Sequence, residues 1–325
     1  MKTVFVTGIN GLLGTNLTHL LIKEGYHVKG LIRDKKSFMG NHNSGLQLVE
    51  GELFDDLTKL LYDVDYVVHI AAITSQNLLD FTDYWKINCN ATIQLFLAAA
   101  KCRVKRFVFV STANTLGYGS IENPGNESDP VRLPFSNSFY AQSKMVAENY
   151  LLSHPQKMET IIVNPTFMLG AFDTKPSSGK IILMGWRKKV IFYPPGGKNF
   201  VHVEDVADGI IKCIEKGRNG EKYILGNENL SYEEFFKKLN HVASQRPVMV
   251  KIPETVLTGI GFFGELLKAF RIKTNLSLVN MKIICTNNYY SNNKSVAEIG
   301  IHYRPVDCAI MDALNYFKKE KLKRF

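Results

Sequence analysis

The 325-residue sequence has no closely paired cysteines: Cys89, Cys102, Cys213, Cys285 and Cys308 are odd in number and widely spaced. That pattern excludes a disulfide framework, a zinc knuckle and a C-x-x-C redox motif. Reduced thiols in a cytoplasmic protein are expected, and no metal. Also missing are an N-terminal apolar segment of signal-peptide form, any apolar run long enough to span a bilayer, short internal repeats and low-complexity tracts. The expectation is a cytoplasmic chain without stable membrane insertion. With 45% hydrophobic residues, it holds enough apolar material for one or two substantial cores without covalent staples.

A basic stripe interleaved with aromatics is absent too, although the net charge is +10. Much of that charge sits in the tail, where Lys318, Lys319, Lys321, Lys323 and Arg324 face Glu320 alone. A solvated helix end, favoured by the helix dipole, is expected there, with contact to an anionic surface as the alternative, and no nucleic-acid partner is expected.

What is present is an alternation. Thr3–Thr7, Val28–Ile32, Leu46–Glu50, Tyr66–Ile70, Arg106–Ser111 and Thr160–Val163 read as strands. Between them lie helix-like stretches after Gly11, from Phe81 to Lys101 and from Ser138 to Leu152. Strands alternating with helices imply an α/β, doubly wound parallel sheet with right-handed crossovers. After Pro165 the pattern loosens. A helix is expected over Asp205–Lys216, with Asp205 as its cap, then a strand at Tyr223–Leu225, and mostly helices to the end. The apolar stretch Val256–Phe270 carries Phe262, Phe263 and Phe270 at roughly helical spacing. It is expected to pack into the core; a lid over an apolar substrate and a membrane-surface contact are the alternatives.

Two motifs carry chemistry. The first is Thr7-Gly8-Ile9-Asn10-Gly11-Leu12-Leu13-Gly14, between a strand and a helix. Gly8 permits the tight turn, Gly11 lets backbone approach a pyrophosphate at the helix N-terminus, and Gly14 allows close helix-to-strand packing. At the end of the second strand, where a carboxylate would select NAD, stands Arg33, 19 positions after Gly14, with Lys35 and Lys36 behind it. A guanidinium suits a 2′-phosphate, so NADP(H) is the expected cofactor and NAD the alternative. The second motif is Tyr140-Ala141-Gln142-Ser143-Lys144, whose spacing of four puts phenol and amine on one helix face. A free phenol titrates near about 10. A cation beside it stabilises the phenolate, and Lys144 is expected to lower that value by roughly two or three units.

These residues resemble the extended short-chain dehydrogenase/reductase superfamily, also called the NAD-dependent epimerase/dehydratase family. Further matching segments are Val68–Ala72, Asn88–Thr92, Val110–Ala113, Asn164–Thr166 and Phe200–Ala207. The resemblance implies a Rossmann domain over residues 1–165, with 200–226 returning to it, and a smaller, mostly helical substrate lobe from 166–199 and 227–325. It implies that the cofactor meets Gly8, Asn10, Gly11, Leu12, Leu13, Gly14, Arg33, Glu52, Leu53, Ala71, Ala72, Asn88, Tyr140, Lys144, Pro165 and Thr166. It also implies a catalytic triad of Thr112, Tyr140 and Lys144, with Ser111 the weaker candidate for the hydroxyl.

Departures from the family pattern are Glu52 where aspartate is usual, Ala91 where glycine is usual, and Lys198 where sugar-nucleotide enzymes of the family carry an arginine on the diphosphate. Tyr289–Lys294, Glu298–Gly300 and Tyr303–Pro305 look like the C-terminal pattern of dihydroflavonol-reductase-like and 3β-hydroxysteroid-dehydrogenase-like members, which act on apolar ketones or alcohols. His69 and His202 are expected to serve as structural hydrogen-bonding groups. The function implied is reduction of a ketone or aldehyde, or oxidation of the matching alcohol, on a small apolar substrate. The alternatives are a sugar-nucleotide epimerase or dehydratase and a non-catalytic dinucleotide-binding regulator. The expected partner is a small-molecule substrate, and a homodimer is allowed.

Overall fold

The computed structural model describes residues 1–322, so Lys323 and Arg324 of the cationic tail lie outside the described residues. The first half alternates strands β1 (Thr3–Thr7), β2 (His27–Ile32), β3 (Leu46–Glu50), β4 (Tyr66–His69), β5 (Arg106–Val110) and β6 (Glu159–Pro165) with helices α1 (Leu12–Lys23), α2 (Thr58–Leu61), α3 (Phe81–Tyr84), α4 (Ala91–Lys101) and α5 (Phe139–Ser153). The expected Phe81–Lys101 helix is interrupted by a π-helical turn over Trp85–Asn90.

The second half holds β7 (Phe167–Leu169), α6 (Lys180–Gly185), β8 (Val190–Tyr193), β9 (Gly197–His202), α7 (Val203–Lys216), β10 (Lys222–Leu225), β11 (Glu228–Ser231), α8 (Tyr232–Val242), β12 (Val248–Lys251), α9 (Glu254–Ala269), α10 (Leu278–Cys285), β13 (Asn287–Asn288) and α11 (Val306–Leu322).

Among the described residues, seven strands form one sheet in the order β10-β6-β5-β4-β1-β2-β3, every neighbouring pair parallel. The switch between β1 and β4 opens a crevice at the strands' carboxyl ends, where ligands bind in open α/β sheets. The central strands are buried on both faces, which explains why they read as near-continuous apolar runs. One face packs Leu13, Leu17 and Leu21 of α1 with Val206, Ile210 and Ile214 of α7. The other packs Leu95, Phe96 and Ala99 of α4 with Ala147 and Leu151 of α5. A third core joins Ile182, Phe200, Phe235, Phe236, Ile310 and Leu314 in the C-terminal part.

Two expectations need correction. The cap of α7 is His202, whose Nδ1 accepts from the Glu204 amide at 3.1 Å. Asp205 lies in the helix's first turn and instead accepts from the backbone amide and Nε of Arg304, at 2.8 and 2.7 Å. The Val256–Phe270 segment forms α9 but does not fill the core: Phe262, Phe263 and Phe270 are 63, 56 and 72% exposed. Its inward face is built from Leu257, Gly261 and Gly264. A Cβ on Gly264 would stand 1.9 Å from the Leu276 carbonyl oxygen, so α9 approaches the following chain too closely for large inward side chains.

Candidate active site

The expected site residues gather along the carboxyl edge of the sheet. Gly8, at φ +72°, turns the chain out of β1; a Cβ there would stand 2.8 Å from the Ala71 amide nitrogen. The turn thus presses on the loop after β4 that carries Ala71 and Ala72. Gly14 sits under the turn, where a Cβ would meet the Gly8 carbonyl oxygen at 2.1 Å. Gly11 caps α1 with no side chain of its own, and no acidic residue occupies the helix's first turn. The amides of Leu12, Leu13 and Gly14 therefore open a positive helix end with no competing anion, which fits a pyrophosphate. Beside it the Asn10 amide donates to Ser37 Oγ at 2.9 Å, joining the turn to the exposed segment after β2 that begins with Arg33.

The second wall is α5 against the end of β5. The Ser138 side chain caps the helix. Tyr140 and Lys144 follow on one face, as their spacing predicts. Tyr140 is hydrogen-bonded to Thr112, which leaves Thr112 rather than Ser111 as the hydroxyl at the phenol; Ser111 Oγ is buried without a partner among the described residues. Lys144 is buried, donates from Nζ to the Val110 carbonyl at 2.7 Å and lies 4.0 Å from the Phe109 ring centroid.

The electrostatics differ from the expectation of an acidified phenol. Burial pushes Tyr140 up to about 12, the Thr112 hydrogen bond opposing it and the Glu148 charge adding to it. Burial lowers Lys144 to about 7, with Glu148 opposing. Desolvation disfavours both charged forms and outweighs the opposing effects, that of the Thr112 hydrogen bond on the phenol and that of Glu148 on the amine. The phenol is thus held protonated at neutral pH.

Beneath this pair lies a group the motif reading missed. Glu148, one turn beyond Lys144, is fully buried and accepts from Thr115 Oγ1 at 2.7 Å, Asn164 Nδ2 at 2.8 Å and Lys222 Nζ at 2.5 Å. Asn164 Nδ2 also donates to the Thr112 carbonyl at 3.1 Å, and the same carbonyl stands 2.8 Å from Thr115 Oγ1, whose single proton goes to Glu148. The carboxylate therefore ties β6, β10 and the loop after β5 to α5. The signal was available, since Tyr140, Lys144 and Glu148 repeat at intervals of four on one helix face.

Other expected residues divide. Asn88 spends its amide on the protein: it donates to the Ile73 carbonyl and Ser143 Oγ, both at 3.0 Å, and accepts from the Ile73 amide at 2.8 Å. It holds the β4 loop against α5. Pro165 closes β6, and Thr166 donates to Asn199 Oδ1 at 2.8 Å. Glu52 is exposed after β3, its amide donating to Asp55 Oδ2 at 2.7 Å, while Leu53 packs on the neighbouring core. His69 lies between Thr7 Oγ1 at 2.7 Å and Thr92 Oγ1 at 2.9 Å, a structural position. Lys198 stands apart on β9, 5.3 Å from the Phe167 ring centroid; burial lowers it to about 8.

A glycine turn at an open helix end beside a Thr/Tyr/Lys wall defines an NAD(P)-dependent enzyme of the extended short-chain dehydrogenase/reductase class. Residues 4–226 match the model of the NAD dependent epimerase/dehydratase family, and the chain belongs to that family. It is similar to a protein named as a dihydroflavonol 4-reductase in Synechocystis sp., 28% identical over 97% of this chain and 94% of that one. It is also similar to the decarboxylating sterol-4-alpha-carboxylate 3-dehydrogenase of Dictyostelium discoideum, 28% identical over 93% of this chain and 96% of that one. Among solved structures it resembles gox2253, with a TM-score of 0.84 and 29% identity, covering 98% of this chain and 99% of that one. Among the described residues no helix is long and apolar enough to cross a membrane.

Proposed function

We propose that the protein is an NADP(H)-dependent reductase of a ketone or aldehyde on a small apolar substrate. The observation that carries this reading is the protonated Tyr140 phenol, hydrogen-bonded to Thr112 one helical turn from Lys144. Reduction needs an acid at the carbonyl oxygen, and a phenol held near 12 is in the donating state throughout the neutral range. When bound, the nicotinamide supplies the hydride. Thr112 and Tyr140 then donate hydrogen bonds to the oxygen as it gains charge, and Tyr140 releases its proton to it. Lys144, partly charged near neutral pH, holds the ribose and eases the phenol's loss of that proton. Residues 1–165 with 200–226 serve as the cofactor domain, and 166–199 with 227–325 as the substrate lobe.

The NADP(H) preference is supported by Arg33, exposed at the end of β2 without an acidic partner among the described residues and near a glycine turn that lacks an acid. The apolar substrate class is supported by the reductase and sterol-dehydrogenase relatives.

The test is NADPH oxidation with a panel of apolar ketones and aldehydes, alongside fluorescence titration of NADPH and NADH. Turnover with at least one carbonyl is expected, with NADPH bound more tightly than NADH. Tyr140→Phe should lower kcat by about 10²- to 10⁴-fold, the range for a lost general acid, and leave NADPH affinity intact. Undiminished turnover in that variant would reject the mechanism. Lys198 supports a second reading, an anionic substrate such as a nucleotide sugar, because it is a largely desolvated amine without a carboxylate partner among the described residues. Calorimetry with nucleotide sugars separates the two: millimolar ligand without heat rejects the anionic substrate.

A further inference from the structure

Helix α9 is built inside out. On a wheel of 100° per residue, Val256, Ile260, Phe262, Phe263, Leu266 and Phe270 span its outward half, with Thr255, Gly259 and Leu267 between them. The six large side chains are 36–72% exposed. Glycines 261 and 264 take the buried side. The helix's later charges also turn inward: Glu265 accepts from the Leu278 amide at 2.8 Å and lies 3.8 Å from Lys268 Nζ. A helix made to fill a core would place its phenylalanines where the glycines are. The arrangement here spends the large apolar surface on something outside the fold.

The charge around that surface says what. From Leu266 to Ala297 the chain carries no acidic residue; Lys268 and Arg271 pair with Glu265 and Asp80, and beyond them Lys273 and Lys282 are exposed. The strand leading into α9 repeats the theme. In the β8–β12 pair Val190 faces Val248 and Phe192 faces Val250, and all four are 37–63% exposed. They are flanked by exposed Arg187, Lys188, Lys189 and Arg246. Two outward apolar surfaces with cationic borders match an interface that is apolar in depth and negative at its surface.

We propose that the outward half of α9, with the cationic turn that follows it, docks on the surface of an anionic lipid bilayer. The aromatic and aliphatic side chains enter the acyl boundary, and Lys273 and Lys282 meet the headgroups. The helix lies in the interface and does not cross it. The α9–α10 pair also reaches the rim of the catalytic edge: Arg271 pairs with Asp80 at 3.0 Å and the Asn280 amide donates to the Gln76 carbonyl at 3.3 Å. Docking there would hold the loop after β4 close to the lipid from which an apolar substrate can be drawn.

The experiment is flotation of the full chain, without cofactor or substrate, with vesicles of phosphatidylcholine alone or of equal parts phosphatidylcholine and phosphatidylglycerol. It is therefore independent of the proposed reaction. Wild type is expected to float with the anionic vesicles, and Lys273→Glu/Lys282→Glu to lose more than about 25-fold in partitioning, since each reversal removes a surface cation worth about fivefold and adds an anion. Phe262→Ser/Phe263→Ser/Phe270→Ser should lose more than about tenfold through the apolar area withdrawn, with NADPH binding unchanged. If that variant fails to fold, the charge-reversal variant carries the test. Wild type that ignores anionic vesicles, or variants that float as well as wild type, would overturn the proposal. So would a wild-type dimer that the serine variant turns into a monomer while neither binds vesicles, because the face would then belong to a second copy.

Discussion

Glu148 is the residue on which the buried polar network beneath Tyr140 and Lys144 converges. Its carboxylate is saturated by a hydroxyl, an amide and an ammonium, so desolvation is compensated by geometry. Removing only the charge leaves Lys222, 22% exposed, facing a neutral group. Glu148→Gln is therefore expected to cost about 3 kcal/mol in urea unfolding, and Glu148→Gln/Lys222→Met to recover part of that loss. Strict additivity of the two changes would show that the pair does not interact. The same position marks the limit of motif reading. Tyr140 and Lys144 were legible because their spacing and chemistry are local, whereas the partners of Glu148 arrive from residues 115, 164 and 222 and meet only in the folded sheet.

At the scale of elements, the β1–α1 turn is tightly constrained backbone. Gly14 has no freedom to carry a side chain, since the atoms a Cβ would strike belong to the backbone of Gly8 and Ile9. Gly14→Ala is expected to destabilise the protein by about 3 kcal/mol and to weaken NADPH binding, read by urea midpoint and fluorescence titration; a variant equal to wild type in both would show that helix and strand can separate at no cost. Strands β1 to β6 were readable to within a residue or two because buried parallel strands need continuous apolar runs. Less legible was α9, whose apolar sequence is the same whether it faces core or solvent; the close approach of α10 decided the direction. Capping of α7 by His202 instead of Asp205 was likewise settled by a distant partner, Arg304.

The whole molecule responds to pH through its buried bases. Burial, assisted by the charge of Lys144, holds His69 near 3 against an ordinary 6.5, and burial holds Lys144 near 7 against 10.5. Both folded values lie below the unfolded ones, so the unfolded chain binds more protons in each window and acid favours unfolding. The Lys144 contribution is complete above pH 10.5 and is lost as the pH falls to about 7. That of His69 is complete above pH 6.5 and is lost toward pH 3. Urea midpoints of Lys144→Met should therefore depend less on pH than wild type between pH 7 and 10. Parallel curves above pH 7 would place the titration elsewhere.

Sequence by itself determined the parallel α/β sheet, the glycine turn and the Tyr140/Lys144 face, because each depends on periodicity or on conformational demands within a few residues. Tertiary structure alone decided which hydroxyl meets the phenol, the ionisation of the pair and the outward turn of α9. Those depend on desolvation and on contacts between segments distant in the chain, which no local pattern encodes.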